Sequence, residues 1–177
     1  MKLYHYTSLF HLPQILEDGY LSVTESNASF SRTHAAPDVV WLTANPSSSK
    51  EASLRGSCVD KTQVRIEVDV DAVRYRRWAQ KHNVAPEVVR RLNKTGGDQA
   101  NNWYVTERQV QRESWNRIEI YVPRMEKWIE FYNKNDNDEK SLARAAYWSK
   151  SLEQWKQARQ KFLNSFRYTN YEQLESA

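Results

Sequence analysis

The sequence predicts an α+β fold, in which short strands and short helices alternate before a helical C-terminus. Three observations carry this reading. Gln63–Asp69 and Ile118–Val122 alternate apolar and polar residues, the period of a half-buried strand. Leu9, Leu12, Ile15 and Leu16 keep helical spacing and stop at Gly19. Beyond Met125, Leu142, Ala145, Ser149, Leu152, Trp155, Arg159, Phe162, Leu163 and Phe166 trace one largely apolar helical stripe. The change of pattern divides the chain into a mixed domain over 1–123 and a helical extension over 124–177 packed on it.

In chain order, Lys2–Tyr6 reads as a strand rich in aromatics. The following helix is expected to start near Leu12, because Pro13 is tolerated only in a first turn. Tyr20–Val23 is a second short strand. Residues 24–37 form a loop, and Val39–Thr43 is a strand followed by a polar turn at 46–50. After the strand at 63–69, helices are expected over 71–82 and 86–92. Residues 94–102, with Gly96 and Gly97, read as a loop, and Trp103–Val110 reads as extended. Pro123 stops the strand at 118–122. From Met125 the pattern reads as helix, with a polar hinge at 133–139 between two helices.

Composition narrows the function classes. Of 177 residues, 40% are hydrophobic and 12% aromatic, enough for a core and too much for a disordered chain. No apolar run reaches membrane-spanning length, and the Met1-Lys2-Leu3-Tyr4-His5 opening has no apolar signal-peptide region. Cys58 stands alone, so no disulfide framework or multi-cysteine metal site is expected, and a cytoplasmic protein is the simplest reading. The four histidines, His5, His11, His34 and His82, include no pair at helical ligand spacing, so no metal is expected. With four glycines in all, a glycine-rich phosphate loop is not in view. Any nucleotide must be gripped by side chains and strand edges.

The net charge of +4 permits an anionic partner without demanding one. Its distribution says more. Arg74, Arg76, Arg77, Lys81, Arg90, Arg91 and Lys94 are opposed only by Glu87, and Tyr75 and Trp78 lie among them. Basic groups interleaved with aromatics suit phosphate contacts and base stacking. Arg74, Arg76, Arg77, Trp78 and Lys81 are the candidate nucleic-acid contacts, and Arg74, Arg77 and Lys81 would share one helical face. The alternative is a solvated helix face with its aromatics turned inward.

The opening carries a family likeness. Tyr4-His5-Tyr6-Thr7, followed by Leu12-Pro13-Gln14-Ile15-Leu16-Glu17-Asp18-Gly19-Tyr20-Leu21, resembles the N-terminal signature of the DNA-targeting ADP-ribosyltransferase toxins, the DarT-like group. More broadly it is similar to the His-x-Thr/Ser opening of the diphtheria-toxin and poly(ADP-ribose) polymerase branch. The resemblance implies a split β-sheet core with flanking short helices. It implies NAD as co-substrate, no metal, and mono-ADP-ribosyl transfer to a macromolecule, with single-stranded DNA or RNA as the acceptor. A toxin or phage-defence role, and an antitoxin protein as partner, come with it. His5 would hold a ribose hydroxyl, Tyr6 and Thr7 would shape the nicotinamide pocket, and Trp41 would be the aromatic that stacks on the ring. Read by themselves, His5 and Trp41 serve equally as core residues.

A second family feature is a glutamate about a dozen residues before an Ile-x-Ile strand. Glu107 in Tyr104-Val105-Thr106-Glu107-Arg108-Gln109-Val110 stands in that relation to Ile118 and Ile120. Breaking the nicotinamide bond develops oxocarbenium character at the ribose, which a carboxylate on the 2′-hydroxyl stabilises. Glu113 and Glu119 are rivals, and Glu107 could instead be a surface carboxylate paired with Arg108 or Arg112. The family's central motif with its methionine and arginine has no copy here. Val105 removes the Glu/Gln-x-Glu pair of arginine-modifying transferases, which counts against arginine as acceptor. Two other readings stay open: a non-catalytic nucleic-acid or protein-binding module, and transfer of an RNA 2′-phosphate to NAD.

Overall fold

The computed structural model describes residues 1–24, 36–47 and 59–175, with side chains through residue 165. Most of the expected loop at 24–37 and of the turn at 46–50, with His34 and Cys58, lies outside the described residues. In chain order the elements are β1 (Lys2–Thr7), α1 (Leu12–Asp18), β2 (Tyr20–Leu21), β3 (Val40–Thr43), β4 (Val64–Asp69), β5 (Val73–Arg74), α2 (Tyr75–Lys81) and α3 (Pro86–Gly96). Then come β6 (Trp103–Thr106), β7 (Val110–Gln111), β8 (Trp115–Val122), β9 (Lys127–Asn133) and α4 (Asp138–Glu175). The fold is α+β, as the alternation of patterns predicts.

Seven strands form one antiparallel sheet in the order β5-β6-β3-β1-β4-β8-β9, and β2 pairs with β7 in a separate ribbon. β1 is central. It pairs with β4 over six residues, Lys2 opposite Asp69 to Thr7 opposite Val64. With β3 it pairs at a single position, Tyr4 opposite Thr43. Past that pair no further ladder pair joins the two strands.

The period of two along each strand sends side chains to two cores. Leu3, Leu42, Val64, Ile66, Val68, Ile118 and Ile120 build one, closed by Leu12 of α1, Trp115 and Trp148 of α4. Trp103 and Val105 of β6 build the other with Tyr75, Trp78 and Ala79 of α2 and Val88 of α3. Each fully buried large apolar side chain contributes about 1.5–3 kcal/mol. Trp115 meets the polar demand of its indole by donating to the Val110 carbonyl at 3.2 Å.

α1 starts at Leu12 with Pro13 in its first turn, and it ends at Gly19, whose φ of 74° is left-handed. The Gly19 N–H donates to the Ile15 carbonyl. α2 is shorter than the expected 71–82, because Val73 and Arg74 pair with β6 as an edge strand. The expected loop at 94–102 is instead the end of α3 and a 3-10 turn over Gly97–Asn102. Gly96 is there for space: a Cβ would stand 2.6 Å from the Trp103 ring.

The helix expected from Met125 is not found. Residues 127–133 are β9, a hairpin partner of β8, turned by Pro123–Met125 and by Glu126 with φ 51°. Trp128, Ile129, Phe131 and Tyr132 are aromatic or β-branched residues, which favour a strand with a partner ladder beside it. The sheet therefore continues past residue 123, and the polar segment after Asn133 joins a strand to a helix. α4 docks on β9. The Trp148 indole donates to the Glu130 carbonyl at 3.0 Å, and Arg144 bridges Glu130 and Asp136. Among the described residues, no helix is long and apolar enough to cross a membrane.

Candidate functional site

A cavity of about 480 Å³ lies where β1 and β3 part, within the roughly 300–1,000 Å³ usual for small-ligand sites. Its walls come from both sides of the sheet. Tyr4, His5, Tyr6 and Thr7 of β1 meet Val40, Trp41, Leu42 and Thr43 of β3. His11, Gln14 and Ile15 close one side, Leu92, Thr95 and Trp103 the other. Lys61 and Arg159 also line it.

His5 stands opposite Ile66 on β1, and its Nδ1 lies 3.0 Å from the Trp41 carbonyl oxygen. The side chain takes a carbonyl that backbone pairing to β3 leaves available. A carbonyl only accepts, so Nδ1 carries the proton. Burial pushes the imidazole pKa down to about 4; the Trp41 carbonyl opposes that shift, and the charges of Lys61 and His11 add to it. The ring is neutral at pH 7, and Nε2 carries a lone pair with no partner among the described residues. The site therefore offers a fixed acceptor for a ligand hydroxyl.

Trp41 is partly exposed and anchored by rings on several sides. Tyr75, Trp103 and Trp78 stand at 6.2, 6.1 and 6.5 Å between centroids. That arrangement holds a planar surface at the cavity edge, suited to a planar ligand ring. Thr7 is buried beside His5. Tyr6 borders the cavity, but its hydroxyl donates to the Asn45 carbonyl at 3.2 Å and its ring tilts against Trp128. His11 is held by Ser8 Oγ, 3.0 Å from Nδ1, and its pKa is lowered by burial, then by Lys61 and Arg159.

The structure thus brings His5, Tyr6, Thr7 and Trp41 together. It does not bring Glu107 to them. Glu107 follows β6, whose Thr106 pairs with Val40, so it lies toward the end of the sheet where β1 and β3 part. Its carboxylate faces α2, 2.7 Å from His82 Nε2 and 3.6 Å from Lys81 Nζ, and it is absent from the cavity lining. The hydrogen bond from His82 holds its pKa below the usual carboxylate range. The partners are not Arg108 or Arg112. Glu113 is exposed outside the cavity, and Glu119 is buried in an ion pair with Arg65 at 2.7 Å. Among the described lining residues the carboxylate is Asp18, which accepts from Gln14 at 2.6 Å.

The basic run divides cleanly. Arg74, Arg76, Arg77 and Lys81 are exposed, whereas Trp78 is 1% exposed and packed on Trp41. Trp78 therefore cannot stack a base. Arg74 precedes α2 and lies over the Tyr104 ring, 5.9 Å from its centroid. Arg76 is drawn toward Asn93 at 3.2 Å.

Lys61 and Arg159 are cavity residues without a motif. Arg159 was visible in the sequence as a cation inside an otherwise apolar helical stripe. Lys61, a lone basic residue before a strand, carries no such signal.

No protein-family model matches the chain, and no curated protein or solved structure matches it.

Proposed function

We propose that the chain binds NAD in the parted cleft between β1 and β3 and transfers its ADP-ribosyl group to a macromolecule. The observation that carries this is His5: a neutral imidazole fixed by the Trp41 carbonyl, with its free acceptor in a cavity edged by an aromatic ring. A ribose hydroxyl is a donor of the right kind, and a nicotinamide or adenine ring suits Trp41. The resemblance of the opening segment points to the same ligand and residues. A single-stranded nucleic acid, DNA or RNA, is the proposed acceptor. The exposed guanidinium groups of Arg74, Arg76 and Arg77 supply phosphate contacts. A target base must be unpaired to be reached. The toxin or phage-defence role and an antitoxin partner rest on the resemblance alone.

Transfer requires charge stabilisation at the ribose as nicotinamide leaves. Glu107 fills that role only by exchanging its pairing with His82 and Lys81 for the cleft. Its present placement favours a second reading, a nucleotide-binding module without transfer. One experiment separates the two. Labelled NAD is incubated with the chain and, in separate tubes, single-stranded DNA, single-stranded RNA and protein acceptors. Label on one acceptor with nicotinamide released supports transfer. NAD binding without release supports the second reading. No binding of NAD overturns both.

A further inference from the structure

We propose that Lys61 and Arg159 form a phosphate-binding subsite of the cavity, so that α4 is a wall of the ligand site and not only a brace. Both side chains line the same space as His5 and His11. Among the described residues neither enters an ion pair. Other cations of the fold are paired: Arg65 with Glu119, Arg117 with Glu130, and Arg144 with Glu130 and Asp136. Arg159 Nε is shut off from water and has no hydrogen-bond partner among the described atoms. No water reaches that N–H, so a ligand oxygen in the cavity would be met by the terminal amino groups of the guanidinium.

Arg159 is also held in place. Its guanidinium lies over the Phe10 ring, 5.6 Å from the centroid. Phe10 is fixed in turn by edge contacts with His11 and Phe162 at 5.3 and 5.2 Å. The cation is therefore pre-oriented by the turn before α1 and by α4 together. Lys61 arrives from the segment before β4. The charges of Lys61 and Arg159 both depress the His11 imidazole, which places both fields on one neighbouring ring. With His5 and His11 neutral, the two cations meet Asp18 as the carboxylate of the described lining, and Asp18 is engaged by Gln14.

The class of ligand follows from charge and geometry. One carboxylate would answer one guanidinium. Two cations around one cavity match a group of higher charge with several acceptor oxygens, a phosphate or diphosphate. Under the NAD reading this would be the diphosphate of the dinucleotide, and to that extent the inference rests on it. The subsite itself can be tested without NAD.

The test is calorimetric titration of the full chain with inorganic diphosphate at low salt. Wild type should bind, and Arg159→Met and Lys61→Met should each weaken binding at least tenfold. Arg159→Lys, which keeps the charge and loses the fork, should fall between. Lys61→Met keeps the test decisive should Arg159→Met disturb the docking of α4, which a melting curve reports. Absence of diphosphate binding by wild type, or equal binding by both methionine variants, overturns the subsite. The two proposals fail separately. Diphosphate binding and KM for NAD both unchanged in the two methionine variants remove the subsite and leave the transferase. Diphosphate binding lost in those variants, in a chain that binds no NAD, keeps the subsite and removes the NAD reading.

Discussion

His5 and Glu107 answer to the same proposed chemistry and sit in opposite circumstances. His5 is on the central strand, with one ring nitrogen fixed and the other open to a cavity. Glu107 lies past the end of β6, 37% exposed at its side chain, and is already paired with His82 and Lys81. The difference shows what makes a polar group available to a ligand. A residue inside a strand that leaves its ladder keeps an unspent valence in a sheltered place. A carboxylate beyond a strand end meets the nearest cations and water.

The largest effect should appear in acid. The folded protein holds His5 at about 4 against 6.5 when unfolded, so its contribution to stability is complete above pH 6.5. It is lost as pH falls from 6.5 toward 4, about 3 kcal/mol in all. His11, lowered by the same cause, adds to the loss. Denaturant titrations between pH 7 and 4 should show the fall, and His5→Gln should flatten it. An unchanged acid limb in that variant would place His5 in contact with water.

Replacing Arg74, Arg77 and Lys81 together with Gln should weaken single-stranded nucleic-acid binding and flatten its salt dependence, by about one released counterion for each lost phosphate contact. NAD affinity should not move. Salt sensitivity equal to wild type would remove this surface as the acceptor track.

Glu107→Gln should leave NAD affinity within a few fold and cost at most about 1 kcal/mol of stability, the usual size of an exposed ion pair. Turnover is the informative measurement. A loss of about a hundredfold would show that Glu107 leaves His82 for the cleft, and wild-type turnover would keep it a surface residue.

The smallest effect concerns the wall that carries His11 and Gln14. Gly19→Ala forces an L-residue into the left-handed region at the end of α1 and should destabilise by about 1 kcal/mol, read from the melting midpoint. No change would mean that the cap adapts freely.

The α+β class, β1, α1 with its Pro13 start and Gly19 stop, β4 and β8 were legible because each fills a full period of pattern. β9 was not. Trp128-Ile129-Glu130-Phe131-Tyr132 has apolar residues on both faces, so alternation is blurred, and its partner β8 supplies the order that the segment lacks. β2, β5 and β7 have two residues each, too few for any period. Of the cavity lining, His5 and Trp41 stand out in the sequence through the opening segment and the strand at 39–43. Trp78 was misplaced because sequence cannot say which way an aromatic in a basic run turns. Arg159 lies far along the chain from His5, and their meeting depends on how α4 returns over α1.

The proposed function rests on NAD binding in the parted cleft through the free nitrogen of His5. Titration of NAD into wild type and His5→Ala at pH 7, with melting midpoints as a control on folding, tests it most directly. Wild type should bind, and the variant should lose at least about tenfold, the worth of one hydrogen bond to a held acceptor, with the midpoint shifted by only a few degrees. Equal affinity in the two proteins, or no binding by wild type, would contradict it.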